Sequence, residues 1–332
     1  MKTTAIHRRQ IAGLALLLSF FLLVNLGLYL LLTRRLTNHF SSVSQAKMID
    51  VARYLPHEET SDLIAQKTDF ILTGELPTLD GAAALVPVYA SVIHSLYPQG
   101  SVTYEGGSFS DDNYYGENFA NDSKMQYHNT VRGYRAVVDG DTDLFFSAAP
   151  SEEQRAYAEE KGVELVWVPI GLEAFVFFVN QNNPVDRLTV EEVRSIYAGE
   201  YTNWKELGGS NRPINPVTRI EGSGSQTMML AFMKDQKIAP KSPLAFMGSG
   251  IGYSFRFYME DMVESDQVKM LSLNGVYPDK AHIKDRSYPI VTEFYAVYRK
   301  DNINPNVKNL VDWLLSEDGQ ALIEAAGYVG IT

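Results

Sequence analysis

The sequence predicts an α/β protein preceded by one membrane-crossing helix. Three observations point there. Apolar strand-like segments alternate with amphipathic helix-like ones along most of the chain. A long uncharged run lies near the N-terminus, and 332 residues with 45% hydrophobic and 21% charged side chains suffice for two core-bearing units.

The uncharged run is Ile11–Leu32, IAGLALLLSFFLLVNLGLYLLL, with Asn25 as its one amide. At about 1.5 Å rise per residue it spans roughly 33 Å, enough for a bilayer's hydrocarbon core. Lys2, Arg8 and Arg9 precede it, and Arg34 and Arg35 follow. A cleaved signal peptide would have a shorter apolar core ending at a small-x-small site, so an uncleaved anchor is expected. Residues 1–35 are thus read as basic flank and anchor, and 36–68 as a polar stalk. The expected location is the cell membrane, single-pass, with the C-terminal domain outside the cytoplasm.

After the stalk the elements follow in order. Asp80-Gly81 opens the periodic run AAALVPVYASVIHSLYP, read as a helix with Asp80 as a possible N-cap. Residues 104–123, rich in Gly, Asn, Asp and Ser, read as loop. A helix over Val131–Val138 leads to a strand at Asp143–Ser147, and Ser151-Glu152-Glu153 starts a helix with acidic residues in its first turn. Val163–Pro169 and Ala174–Asn180 read as strands. Thr189-Val190-Glu191-Glu192 carries a capping-box pattern before a helix through Tyr197. Asn215–Thr218 reads as a strand, about Gln226 to Met233 as a helix, Val268–Leu273 and Tyr288–Tyr298 as strands, and Val307–Ala326 as a terminal helix. The alternation argues for a largely parallel sheet.

Charge restricts the function. Five of the 29 basic and none of the 40 acidic residues lie in 1–35, so residues 36–332 carry 24 basic and 40 acidic side chains, a formal net charge of −16. Such a surface is unsuited to nucleic acid. It also offers no long-range attraction for a small anion, so an anion site here needs local, directed donors. With no cysteine, disulfides, Cys-based metal sites and lipid attachment at an N-terminal Cys are excluded. The six histidines are scattered without metal-ligand spacing, and no cofactor is expected.

The segment with the most chemistry is Arg219-Ile220-Glu221-Gly222-Ser223-Gly224-Ser225-Gln226-Thr227, a strand, a glycine-containing turn and a helix start. First-turn N–H groups backed by the helix dipole bind anions without a net positive surface. Gly222 and Gly224 allow positive φ and close approach, Ser223 and Ser225 add hydroxyls, and Arg219 offers a planar fork for a tetrahedral oxyanion. Taken alone, the same residues also fit an ordinary glycine turn with Ser223 as a cap. Gly-Ser-Gly lacks the spacing of a hydrolase nucleophile elbow, and no P-loop or dinucleotide fingerprint is present, so no enzyme is expected.

Residues 168–227 resemble the phosphate-binding proteins of bacterial ABC phosphate transporters. The resemblance is carried by Pro169-Ile170-Gly171, Asn183-Pro184-Val185, Leu188-Thr189, Ile196-Tyr197-x-Gly199, Thr202-Asn203-Trp204 and the Arg219 turn, in shared order and spacing. It extends through 76–89, 143–154, 251–258, 287–300 and 313–329, covering about 68–332. It implies a two-lobed, hinged type II periplasmic-binding-protein fold, with lobe 1 at 69–168 plus 289–332 and lobe 2 at 169–288. It implies inorganic phosphate or a similar oxyanion as ligand, ABC permease subunits as membrane partners, and a monomer. By that match Arg219, Ser223, Gly224 and Ser225 are lobe 2 ligands.

In lobe 1 the family's Ser-Thr pair aligns with Ala82 and Ala83, so backbone N–H groups at this helix start, with Ala83 and Ala84 taken as site positions, stand in for hydroxyls. An Asp found in some members at the end of the 143–150 strand is Ala148 here. Ser147 and Thr130 are the remaining lobe 1 candidates. These departures leave a second reading open: a membrane-anchored sensor or interaction module on the same fold, with weak or lost anion binding.

Overall fold

The computed structural model describes residues 13–14, 16–29, 49–109, 115–219, 221–240, 248–262 and 267–331. The chain divides into two units, Met1–Met48 with Phe109–Tyr115, and Ile49–Ser108 with Gly116–Thr332.

In the first unit residues 16–29 are helical, and their side chains are exposed apart from the partly covered position 27. Asn25 Nδ2 donates to the Phe21 carbonyl at 2.8 Å, so the amide is satisfied within the helix. Among the described residues no helix is long and apolar enough to cross a membrane. The remainder of the predicted span, and residues 36–48 of the predicted stalk, lie outside the described residues.

Apart from Phe109 and Tyr115, which fall in the first unit, the second unit holds the strands β1 (Leu79–Gly81), β2 (Tyr104–Phe109), β3 (Tyr115–Phe119), β4 (Leu144–Ser147), β5 (Leu165–Asn180), β6 (Arg187–Leu188), β7 (Ile214–Pro216), β8 (Ser249–Phe255), β9 (Val268–Met270), β10 (Ser272–Leu273), β11 (Val291–Arg299) and β12 (Val329–Gly330). Its helices are α1 (Val86–Leu96), α2 (Asn129–Asp139), α3 (Glu152–Glu160), α4 (Val190–Tyr197), α5 (Gly224–Met233), α6 (Lys280–Lys284), α7 (Pro305–Leu314) and α8 (Glu317–Ala325). The capping boxes at Ser151 and Thr189 form as their sequences require. The single terminal helix expected over 307–326 is two, because Ser316 caps α8 by accepting from Gly319 N–H. Residues 104–123, read as loop, contain the paired strands β2 and β3.

The main sheet runs β1-β4-β11-β5-β8-β7, with β9 and β12 also pairing β5. It is mixed rather than largely parallel. The pairs β1–β4 and β7–β8 are parallel, whereas β11 is antiparallel to β4 and β5, and β5 is antiparallel to β8, β9 and β12. Alternation of strands and helices did not reveal this, because two long strands carry the chain between halves in opposite directions. The segments 163–169 and 174–180, read as separate strands, are one uninterrupted β5.

Two large hydrophobic cores flank that strand. The first joins Val88, Val92 and Ile93 of α1 to Phe146, Leu310, Leu314 and Ile323. The second joins Phe175, Phe177 and Val179 of β5 to Val193, Ile196, Trp204, Ile251 and Tyr253. Among the places where the chain changes core are Ile170 to Leu172, Phe255 to Phe257 and back by Met259, Tyr288 to Phe294, and Tyr328 to Val329. At the first of these the β5–β11 register slips, Phe294 facing Gly171 and Tyr295 facing Pro169, so Ile170 is the extra residue of a bulge. Pro169 has no N–H to offer a ladder, which suits it to an irregular place. Gly171 is required here: a Cβ would stand 2.2 Å from Phe294 Cζ.

Candidate functional site

Arg219 lies just past β7 and is fastened by its backbone. Its N–H donates to Tyr253 Oη on β8 and to Gln226 Oε1 on α5, each at 3.0 Å, and the Tyr253 hydroxyl also donates to Gln226. The guanidinium interacts with Tyr258. Burial pushes that phenol's pKa up, and the neighbouring positive charge holds it back. Arg219 itself is partly exposed, so its charge is neither deeply buried nor fully in water.

The turn then folds as its glycines dictate. Gly222 has φ +77, the left-handed region where a side chain is strained. Ser223 is the N-cap of α5, its Oγ accepting from Gln226 N–H at 3.3 Å. Ser225, in the first helical turn, is buried. The first-turn amides of this ten-residue helix, with the positive end of its dipole, are thereby presented beside Arg219.

The start of α2 meets this turn. A Cβ placed on Gly222 would stand 3.1 Å from Val131 Cγ2, and one placed on Gly224 would stand 3.8 Å from Thr130 Oγ1. Two helix N-termini therefore lie side by side, that of α5 set on the second core and that of α2 on a smaller cluster of Tyr134, Val137, Val138, Phe145 and Val297.

The Ala82–Ala84 segment joins the same locus only in part. Ala82 N–H donates to the Phe146 carbonyl at 2.8 Å and is spent within the fold. Ala83 N–H points to Asn129 Oδ1 at 3.3 Å, at the start of α2. The Ala84 carbonyl accepts from the Tyr328 hydroxyl. Asp80, expected as an N-cap, is instead a fully buried member of β1. Its Oδ1 accepts from Gly81 N–H at 2.7 Å and from His128 N–H at 3.0 Å, while Oδ2 lies 2.7 Å from His128 Nδ1. The Asp80 hydrogen bond raises the His128 pKa above its ordinary value, against the opposing effect of burial.

Ser147 ends β4, one residue past the carbonyl that holds Ala82, and is buried. Ala148 packs into the second core. Hydrogen bonds thus join Ala83, Asn129 and Thr130, and the turn that carries Arg219, Gly222, Ser223 and Gly224 lies next to Thr130 and Val131. Ser147 and Ala84 are connected through neighbouring backbone groups.

Two features went unread in the sequence. One is Asn129, whose Oδ1 collects Ala83 N–H, Thr130 N–H at 2.7 Å and Thr130 Oγ1 at 3.3 Å. Its only signal was an Asn directly before a Thr at a helix start. The other is a buried charge cluster at the change of core. Glu173 Oε1 lies 3.4 Å from Arg256 Nε and accepts from Ala174 N–H at 2.8 Å, and Arg256 also binds Glu260 and the Gly327 carbonyl. Burial outweighs the arginine and pushes the Glu173 carboxyl up to about 7.

The fold is that of a two-lobed binding domain. The sequence profile of the PBP superfamily domain matches residues 110–318, and the chain belongs to that family. It is similar to the phosphate-binding protein PstS of Bacillus subtilis, 26% identical over 252 residues, covering 70% of this chain and 81% of that protein. It is also similar to PstS of Borreliella burgdorferi, 25% identical over 232 residues, with 64% and 81% covered. Among solved structures, a putative phosphate ABC transporter substrate-binding protein from Clostridium perfringens with bound phosphate superposes with a TM-score of 0.57 at 22% identity, covering 76% of this chain and 98% of that one. An ABC-type phosphate transport receptor from Vibrio cholerae gives 0.54 at 20%, covering 76% and 99%. These structures establish the shared two-lobed fold.

Proposed function

We propose that the chain is a membrane-tethered extracytoplasmic solute-binding protein that captures a small oxyanion, phosphate first, for the permease subunits of an ABC importer. The observation that carries the reading is the convergence of the α2 and α5 starts, with Thr130 set against Gly224 and Arg219 beside them. N–H groups and a hydroxyl at these helix starts, with a guanidinium carried on the adjoining turn, suit a tetrahedral anion and need no positive surface. The phosphate-binding relatives support phosphate as the first ligand to try. The reading is of binding without catalysis.

Lobe 1 is proposed as 69–168 plus 289–332 and lobe 2 as 169–288, supported by the change of core near Gly171 and again between Tyr288 and Phe294. Arg219, Ser223, Gly224 and Ser225 are the proposed lobe 2 ligands, with Thr130, Ser147 and the backbone at Ala83 and Ala84 facing them. The tether is proposed on the uncharged 11–32 run and the internal satisfaction of Asn25.

Calorimetry of the full-length protein in detergent with inorganic phosphate tests the reading. Saturable heat is expected, and Arg219→Ala should weaken binding by about 100-fold, the scale of a charge-assisted bidentate contact. Absence of heat at millimolar phosphate would overturn it. It would favour the second reading, an anchored sensor or interaction module, which Ala83 and the buried Ala148 favour by lacking hydroxyl and carboxylate groups.

A further inference from the structure

We infer that Asn129 is an internal competitor for the anion, occupying the lobe 1 donors with its own side-chain oxygen and so setting affinity. The inference rests on the oxyanion reading of the site. Three donors converge on one atom: Ala83 N–H at 3.3 Å, Thr130 N–H at 2.7 Å and the Thr130 hydroxyl at 3.3 Å. Two of them are backbone amides, which only donate, so the atom they share is the carbonyl oxygen of Asn129 and not its NH2. An oxygen held by two backbone amides and a hydroxyl takes up donors that an oxygen of a bound tetrahedral anion would use. The same Thr130 Oγ1 would stand 3.8 Å from a Cβ placed on Gly224, at the start of α5.

The backbone fixes Asn129 for this task. Its φ is +59, a left-handed conformation that Asn tolerates far better than most residues. That conformation turns the short side chain back over the first turn of α2. The alanines at 82 and 83 remove hydroxyls that would otherwise answer the Asn129 oxygen or replace it. To use Ala83 N–H and Thr130, an anion must first turn the Asn129 amide aside. Binding energy is then reduced by the cost of releasing those hydrogen bonds.

The test titrates inorganic phosphate into the full-length wild type, Asn129→Gly, Asn129→Asp and Arg219→Ala by calorimetry. Glycine accepts the positive φ, so the fold is kept while the competing oxygen is removed. Asn129→Gly should tighten Kd by at least about tenfold, and Asn129→Asp, which keeps the acceptor and adds negative charge, should weaken it by about tenfold or more. Amide exchange without phosphate supplies a ligand-independent readout, with Thr130 and Ala83 N–H exchanging faster in Asn129→Gly than in wild type. An unchanged or weaker Kd in Asn129→Gly, with binding still lost in Arg219→Ala, overturns the role of Asn129 and leaves the anion site standing. Equal exchange in the two proteins also overturns it. No heat from any of the four proteins overturns the oxyanion reading and this inference with it.

Discussion

At the residue scale, one serine serves two purposes. Ser223 Oγ accepts from Gln226 N–H and so closes the start of α5, and Gln226 in turn receives Arg219 N–H. Cutting the cap loosens the helix start and the arginine together. Ser223→Ala is expected to cost about 1 kcal/mol of stability, read by urea unfolding, and to weaken phosphate binding in calorimetry. Ser223→Gly should cost only a few tenths of a kcal/mol in stability, which separates the cap from the ligand contact. The turn and the start of α5 were readable in sequence, because glycines and a capping serine between a strand and an apolar run mark a helix start. Asn129 was not. Its role depends on a positive φ and on an alanine amide 46 positions away, and neither leaves a mark in local residue pattern.

At the element scale, the turn before α5 and the bulge in β5 each depend on a missing Cβ. Gly222 has φ +77, and a Cβ added there would stand 3.1 Å from Val131 Cγ2, so Gly222→Ala meets backbone strain and a crowded neighbour at once. A loss of about 1–2 kcal/mol is expected in thermal or urea unfolding, with Arg219 displaced and phosphate binding weakened. The caps of α3 and α4 and most helices were foreseeable, since they follow from contiguous residues such as Ser151 to Gln154. Strand direction was not. Whether β5 runs parallel or antiparallel to β8 and β11 depends on partners far along the chain. Continuous apolar runs such as AFVFFVN look the same in either case.

For the whole molecule, the Glu173–Arg256–Glu260 cluster lies where the chain passes from one core to the other. A carboxyl held near 7 in the folded protein and near 4.5 when unfolded keeps its proton longer in the folded state. Its contribution to stability is therefore full below about pH 4.5 and is lost as pH rises to about 7. It amounts to at most roughly 3 kcal/mol. Glu173→Gln should flatten that slope, measured by urea unfolding across the interval, and an unchanged slope would count against the assignment. His128 acts at higher pH in the same sense: its pairing with Asp80 stabilises while the imidazole is protonated and fades as pH rises through its raised value.

The long β5 strand has one more consequence, concerning the order of synthesis. Nearly all of the second core comes from residues 148–288, a continuous stretch that emerges without interruption. The first core draws on Ile49 to Phe146 but also on Phe294, Leu310, Leu314, Ile323 and Tyr328 near the C-terminus. Half of β5's ladder, the part with β11, must likewise wait for Val291–Arg299. The lobe made first is thus the lobe finished last. Until the final helices arrive, Val88, Val92, Leu144 and their neighbours remain uncovered apolar surface, a hazard for any truncated product and a reason for the tail's helices to form quickly.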